Sequence, residues 1–153
     1  MLKSILCLFL VAASAQVDAF KKEMDPLQKS VETTVAPLVA RVFSAPKATY
    51  IDGIGVIVSV EVMLEQPQNP FGAAKSADQV RTVVNQRRKD LREKLTELLK
   101  VQVAKSSSVA DTESMAVIVH LLPTTRADVG EQPTQLVLSV KKSAPTQVTF
   151  REF

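Results

Sequence analysis

Residues 49–65, Thr49-Tyr50-Ile51-Asp52-Gly53-Ile54-Gly55-Val56-Ile57-Val58-Ser59-Val60-Glu61-Val62-Met63-Leu64-Glu65, hold the reading that decides the fold. Successive side chains of an extended chain point to opposite faces, and hydrophobicity alternates here with that period of two. Tyr50, Ile54, Val56, Val58, Val60, Val62 and Leu64 share one side, while Ile51, Gly53, Gly55, Ile57, Ser59, Glu61, Met63 and Glu65 share the other. The stretch predicts one long β-branched strand. Gly53 and Gly55 fall on the same side, where missing side chains allow a bulge, a bend or the close approach of another backbone. Asp52-Gly53 also fits a tight hairpin turn, which would set Ala48 to Ile51 apart as a short strand of its own.

Upstream, Asp25-Pro26-Leu27-Gln28 carries helix-start signals: an aspartate able to cap, a proline at the first helical position and a glutamine that completes a capping box. Leu27, Val31, Val35, Leu38 and Val42 follow at steps of three and four, so they form one apolar stripe. Pro37 removes a backbone donor, and a kink or early stop is expected near Ala36. Two placements stay open for this helix: on the sheet face that the later helix covers, or away from it as an arm. Ser44-Ala45-Pro46 then breaks the pattern before the strand.

Downstream, residues 66–75 read as a loop, with Pro67, Pro70 and Gly72. Ser76 and Gln79 form a second capping box, opening a helix expected to reach about Lys100. Val80, Val84, Leu91, Leu95 and Leu98 cluster on its apolar face, with Val83 and Leu99 at the edges. Ser114 to Leu122 is apolar on both alternations, which predicts a strand covered on both faces. After the charged loop Pro123 to Pro133, Gln135 to Lys141 alternates again, and Gln147 to Phe153 fits a last edge strand. The expected fold class is α+β: a two-layer sandwich, N-terminal helix then β-α-β-β(-β), with one long helix packed on a small mixed sheet. The crossover makes the strands flanking that helix parallel, and the next strand returns antiparallel.

Residues 1–15 read as an export signal: Lys3, the apolar run Ile5 to Val11, and Ala13-Ser14-Ala15 as a small-x-small cleavage site. The expected organisation is therefore 1–15 signal, 16–47 N-terminal helix and linker, and 48–153 the α+β domain, in a periplasmic or extracellular protein. Cys7 is the single cysteine and lies inside the signal, so cleavage leaves no thiol, disulfide or lipid anchor. No later segment is long and charge-free enough to cross a bilayer. Losing Lys3 lowers the formal charge from +3 to +2. That balance gives no sign of a nucleic-acid tail. Tryptophan is absent and tyrosine occurs once, which argues against carbohydrate or nucleobase sites built on stacked rings.

Catalytic constellations are sparse. His120, the single histidine, stands in the apolar run Val117 to Leu122 and reads as structural. Asp111 with Glu113 falls short of a carboxylate cation site, and without a second histidine or a mature cysteine no metal or cofactor is expected. Gly53-Ile54-Gly55 lacks the third glycine and the helix of a dinucleotide loop, because strand continues where they belong. Ser106-Ser107-Ser108 has no activating motif. Glu61 and Glu65 would stand about 13 Å apart along a strand, too far for a working carboxylate pair. The clearest feature outside the core is a stripe of Arg81, Arg88 and Arg92 on the second helix, with Asp90, Glu93 and Glu97 on the opposite flank. Its plain reading is that arginine stems cover the rim of the core. Its functional reading is a docking strip for an acidic protein or an anionic envelope polymer.

The run Thr49 to Val58, the charged leucine-rich helix, and Leu136-Val137-Leu138-Ser139-Val140-Lys141-Lys142 resemble a group of uncharacterised exported bacterial proteins built from a Gly-x-Gly strand, a charged helix and two further strands. That group often has an aromatic where this chain has Ile54, and the resemblance implies export but no activity and no functional residue. The leading expectation is a non-enzymatic exported binding or assembly accessory. The alternatives are a hydrolase pairing His120 with a distant acid such as Asp52 or Asp111, and a self-associating protein joined through a strand edge or through the Leu27 to Val42 stripe.

Overall fold

Gly53 and Gly55 turn the chain back on itself, so the expected single strand is a hairpin. In the computed structural model, which describes residues 22–66, 71, 73–123 and 127–153, β1 (Arg41–Ile51) and β2 (Gly55–Met63) pair antiparallel. The Ile54 amide donates to the Ile51 carbonyl at 3.0 Å, and Gly53 takes φ +76°, a conformation that glycine adopts without the steric cost of a Cβ. Asp52-Gly53 is thus the turn. The strand it opens reaches back to Arg41, well into the stretch read as linker. Two register shifts let β1 pass Ser44-Ala45-Pro46, with Pro46 on an edge strand where its missing donor is tolerated.

The first helix, α1, occupies 22–35 of the described residues, followed by a 3-10 turn over Ala36–Leu38 that contains Pro37. The early stop is therefore where the proline placed it. Asp25 and Pro26 lie inside this helix and not at its start, and Gln28 reaches Asp25 by a side-chain hydrogen bond at 3.3 Å. Leu27, Val31 and Val35 are buried in the common core, so α1 packs on the sheet rather than standing away.

The second helix, α2 (Ala77–Lys105), starts on the expected capping box: the Gln79 amide donates to Ser76 Oγ at 3.2 Å, and the Ser76 amide to Gln79 Oε1 at 2.9 Å. It runs beyond Lys100, and Val80, Val84, Leu91, Leu95, Leu99 and Val103 are its buried residues. Leu99, not Leu98, belongs to the stripe. Lys142 closes the far end, donating to the carbonyls of Val103 at 2.8 Å, Ala104 at 3.4 Å and Ser106, where a cation meets the negative pole of the helix.

Beyond α2 come β3 (Ser114–Leu121), a 3-10 turn (Ala127–Val129), β4 (Gln135–Lys141) and β5 (Val148–Glu152). The sheet has the order β1-β2-β3-β4-β5, with β2 and β3 parallel across the helical crossover and every other neighbour antiparallel. This is an α+β fold with helices packed on a mixed sheet, in the order α-β-β-α-β-β-β. Val58, Val117 and Leu138 form one fully buried row across its centre and share one core with Leu91, Leu95 and Leu99 of α2, which packs on β3 and β4. Burying such side chains contributes on the order of 2 kcal/mol each. Residues 1–15, read as an export signal, and parts of the 66–75 and 123–133 loops lie outside the described residues.

Candidate functional site

Alternation gives the sheet a second face. Ile57 and Ser59 on β2, Ala116, Ile118 and His120 on β3, and Val137 and Ser139 on β4 interleave with the core residues and are half-buried. The described helices all contribute to the core on the other side, and among the described residues no helix lies over this one. The strand expected to be covered on both faces is thus covered by helix on one. Pairing aligns Lys47, Ser59, Ile118, Val137 and Arg151 in a row across the strands, an apolar centre with a cation at each end. The neighbouring row is Thr49, Ile57, Ala116, Ser139 and Thr149. Lys141 follows on β4 two residues beyond Ser139, and on β1 the Arg41 guanidinium lies 4.9 Å from the Phe43 ring centroid.

His120 belongs to this face, between Glu61 and Gln135 in register. Ser114 begins β3 beside Gly55 and the hairpin turn, and His120 lies six residues further, on the order of 20 Å along an extended strand. Asp52 and Asp111 stand at the Ser114 end, so neither reaches the imidazole. No group of three or more potential ligands that would hold a metal occurs among the described residues, and no described helix is long and apolar enough to cross a membrane.

The three arginines of the stripe on α2, Arg81, Arg88 and Arg92, all have partners within the chain. Arg81 pairs with Asp78 at 3.1 Å in solvent, the Arg88 guanidinium reaches Gln132 at 3.3 Å and Glu152 at 3.7 Å, and Arg92 lies 4.5 Å from the Phe150 ring centroid. Arg88 and Arg92 therefore tie α2 to β5 and the loop before β4.

Two acidic groups prove to be structural knots, Glu23, which the sequence reading passes over, and Glu113, which it weighs only as a cation ligand. Glu113, buried, accepts from the Tyr50 hydroxyl at 2.7 Å and from the amides of Gly53 at 3.1 Å and Ala110 at 3.0 Å. The Ala110 amide foremost, then Tyr50 and Gly53, hold its carboxyl below the ordinary range against the opposing effect of burial, and the same bond to Glu113 pushes the Tyr50 phenol up to about 12. Glu23 on α1 accepts from the Ser106 hydroxyl at 2.6 Å, the Ser107 hydroxyl, and the amides of Ser107 at 2.9 Å and Ser108 at 3.3 Å. Partial burial opposes ionisation, yet these donors outweigh it and lower the carboxyl to about 2. The serine triplet is therefore an anion cradle filled by the chain's own carboxylate. Beside it, a cavity of about 190 Å³ is lined by Met24, Leu27, Val56 and Met115 among others. That is below the roughly 300 Å³ at which small-molecule pockets begin. The partners of Glu23 and Glu113 are far apart in sequence or lie in loops, which no periodicity reveals.

Comparison with family models, curated proteins and solved structures finds no match for this chain.

Proposed function

We propose that this protein is a non-enzymatic exported accessory that binds or helps to assemble another component of the periplasm or envelope through the uncovered face of its sheet. One observation carries the reading: Ile57, Ile118 and Val137 give the central strands apolar residues on both alternations, as in strands buried on both sides, while among the described residues helices cover only one. Glu113 and Glu23, the two carboxylates with lowered ionisation, are held in folding contacts, Glu113 in the hairpin knot and Glu23 in the serine cradle. The leader-like residues 1–15 support export.

A photo-crosslinking residue placed at Ile118 in the exporting cell tests this, with one at the exposed Lys100 of α2 as control. An adduct formed from position 118 and not from position 100 is the expected result. Equal labelling from both positions, or none from either, removes the binding reading.

A further inference from the structure

We infer that the uncovered face docks an amphipathic segment of another protein, with an apolar stripe bordered by carboxylates on both sides. This rests on the binding reading above and names the chemistry of its partner. Ile118 and Val137 lie side by side on neighbouring strands, with Ile57 diagonally adjacent in the next row. Lys47 and Arg151 stand at the two ends of the Ile118 row, four strand spacings or about 19 Å apart. A helix about 10–12 Å across, laid along the strands over Ile118 and Val137, leaves one cation beside each of its flanks. Long lysine and arginine stems then lean over the apolar contact while their charges stay at its rim.

Charge selects among the occupants. Arg41, Lys47, Lys141 and Arg151 belong to the strands of this face, against the single carboxylate of Glu61. Two copies placed face to face would bring like charges together, which disfavours a homodimer through this surface. A wholly hydrophilic polyanion would satisfy the cations but leave Ile57, Ile118 and Val137 in water. An acidic amphipathic segment answers both demands, and the cationic rim sets its orientation.

The test uses the purified protein and a synthetic 18-residue helix with leucines at steps of three and four and glutamates on both flanks. Amide NMR shifts are expected to move at Ile57, Ile118 and Val137, and affinity to fall at least tenfold in Lys47→Glu/Arg151→Glu and in Ile118→Asp. The double charge variant alters only exposed side chains, so it remains informative if Ile118→Asp does not fold. Equal binding by the same helix with glutamine for glutamate, or by polyglutamate, overturns the acidic amphipathic partner while leaving the face a binding surface. A concentration-dependent dimer that buries Ile118 overturns it in favour of a second copy. Absence of shifts at this face with the helix, combined with no adduct from position 118 in cells, overturns both readings.

Discussion

Tyr50, on the edge strand, donates its hydroxyl to the carboxylate of Glu113, in the turn before β3, at 2.7 Å. The same carboxylate holds the amides of Gly53 in the hairpin turn and Ala110 in the loop after α2. One buried anion thus fixes the hairpin to the end of the crossover, which sets the register of β2 against β3. Glu113→Ala removes the acceptor of all three donors and is expected to destabilise the fold by about 2 kcal/mol or more, because hydrogen bonds to a charged group are the stronger kind and stranded donors carry a desolvation penalty. Tyr50→Phe removes one donor and leaves the amides held, so it has the same sign and a smaller size. Urea unfolding of both variants checks the order.

Acid acts on the same contacts. Glu23 ionises at about 2 in the folded chain and Glu113 below its usual range, whereas both return to ordinary carboxylate values near 4.5 on unfolding. A depressed folded value means that the unfolded chain takes up protons first. The stabilisation from both is complete above about pH 5 and declines as pH falls, and the part due to Glu23 is lost near pH 2. Glu23→Gln and Glu113→Gln are each expected to flatten the fall in unfolding free energy between pH 5 and pH 2, measured by urea titration at successive pH values.

The two hairpin glycines serve different needs. A Cβ on Gly53 would meet no atom within 4 Å, so Gly53→Ala suffers only from φ +76° and should destabilise by about 1 kcal/mol. A Cβ on Gly55 would sit 1.9 Å from the Ser114 carbonyl oxygen, with φ +112°, where backbone and not a flexible side chain blocks it. Gly55→Ala is expected to abolish the cooperative thermal transition that Gly53→Ala retains.

The hairpin was hard to read from periodicity for a definite reason. Ile51 pairs with Gly55 and Tyr50 with Val56, so partners across the turn share parity, and the two-residue alternation passes through the turn without a break. Only the Asp52-Gly53 pair marked it. The core face was legible, since Val56, Val58, Val60, Val62 and Leu64 are all buried as their spacing requires. Leu99 displaced Leu98 because α2 continues to Lys105, and Leu91, Leu95, Leu99 and Val103 form an unbroken step of four along it. The uncovered face was visible as apolar residues on the wrong alternation of β2, β3 and β4, but the sequence alone reads that signal as burial on both sides. Which side the helices take depends on packing between distant elements.

Arg88 decides how charge changes on α2 should be interpreted. Its side chain is about one-fifth exposed (21%), and its buried Nε has no hydrogen-bond partner, although it lies 3.7 Å from Glu152. Methionine keeps the apolar stem and removes the stranded donor, and Glu152 retains water, so Arg88→Met should change stability by no more than about 0.5 kcal/mol. Arg88→Glu places a carboxylate beside Glu152 at the rim of the core and should destabilise by about 2 kcal/mol. Arg92→Ala forfeits the contact with Phe150, worth about 1 kcal/mol. Arg81 is nearly half exposed (47%) and paired only with the exposed Asp78, so Arg81→Glu should stay within about 0.5 kcal/mol of the parent. Urea unfolding of these single variants separates the two roles. Loss of a partner on reversing Arg88 or Arg92 would report damage where α2 meets β5, whereas the same loss in a fully stable Arg81→Glu protein would report a contact made by the helix itself.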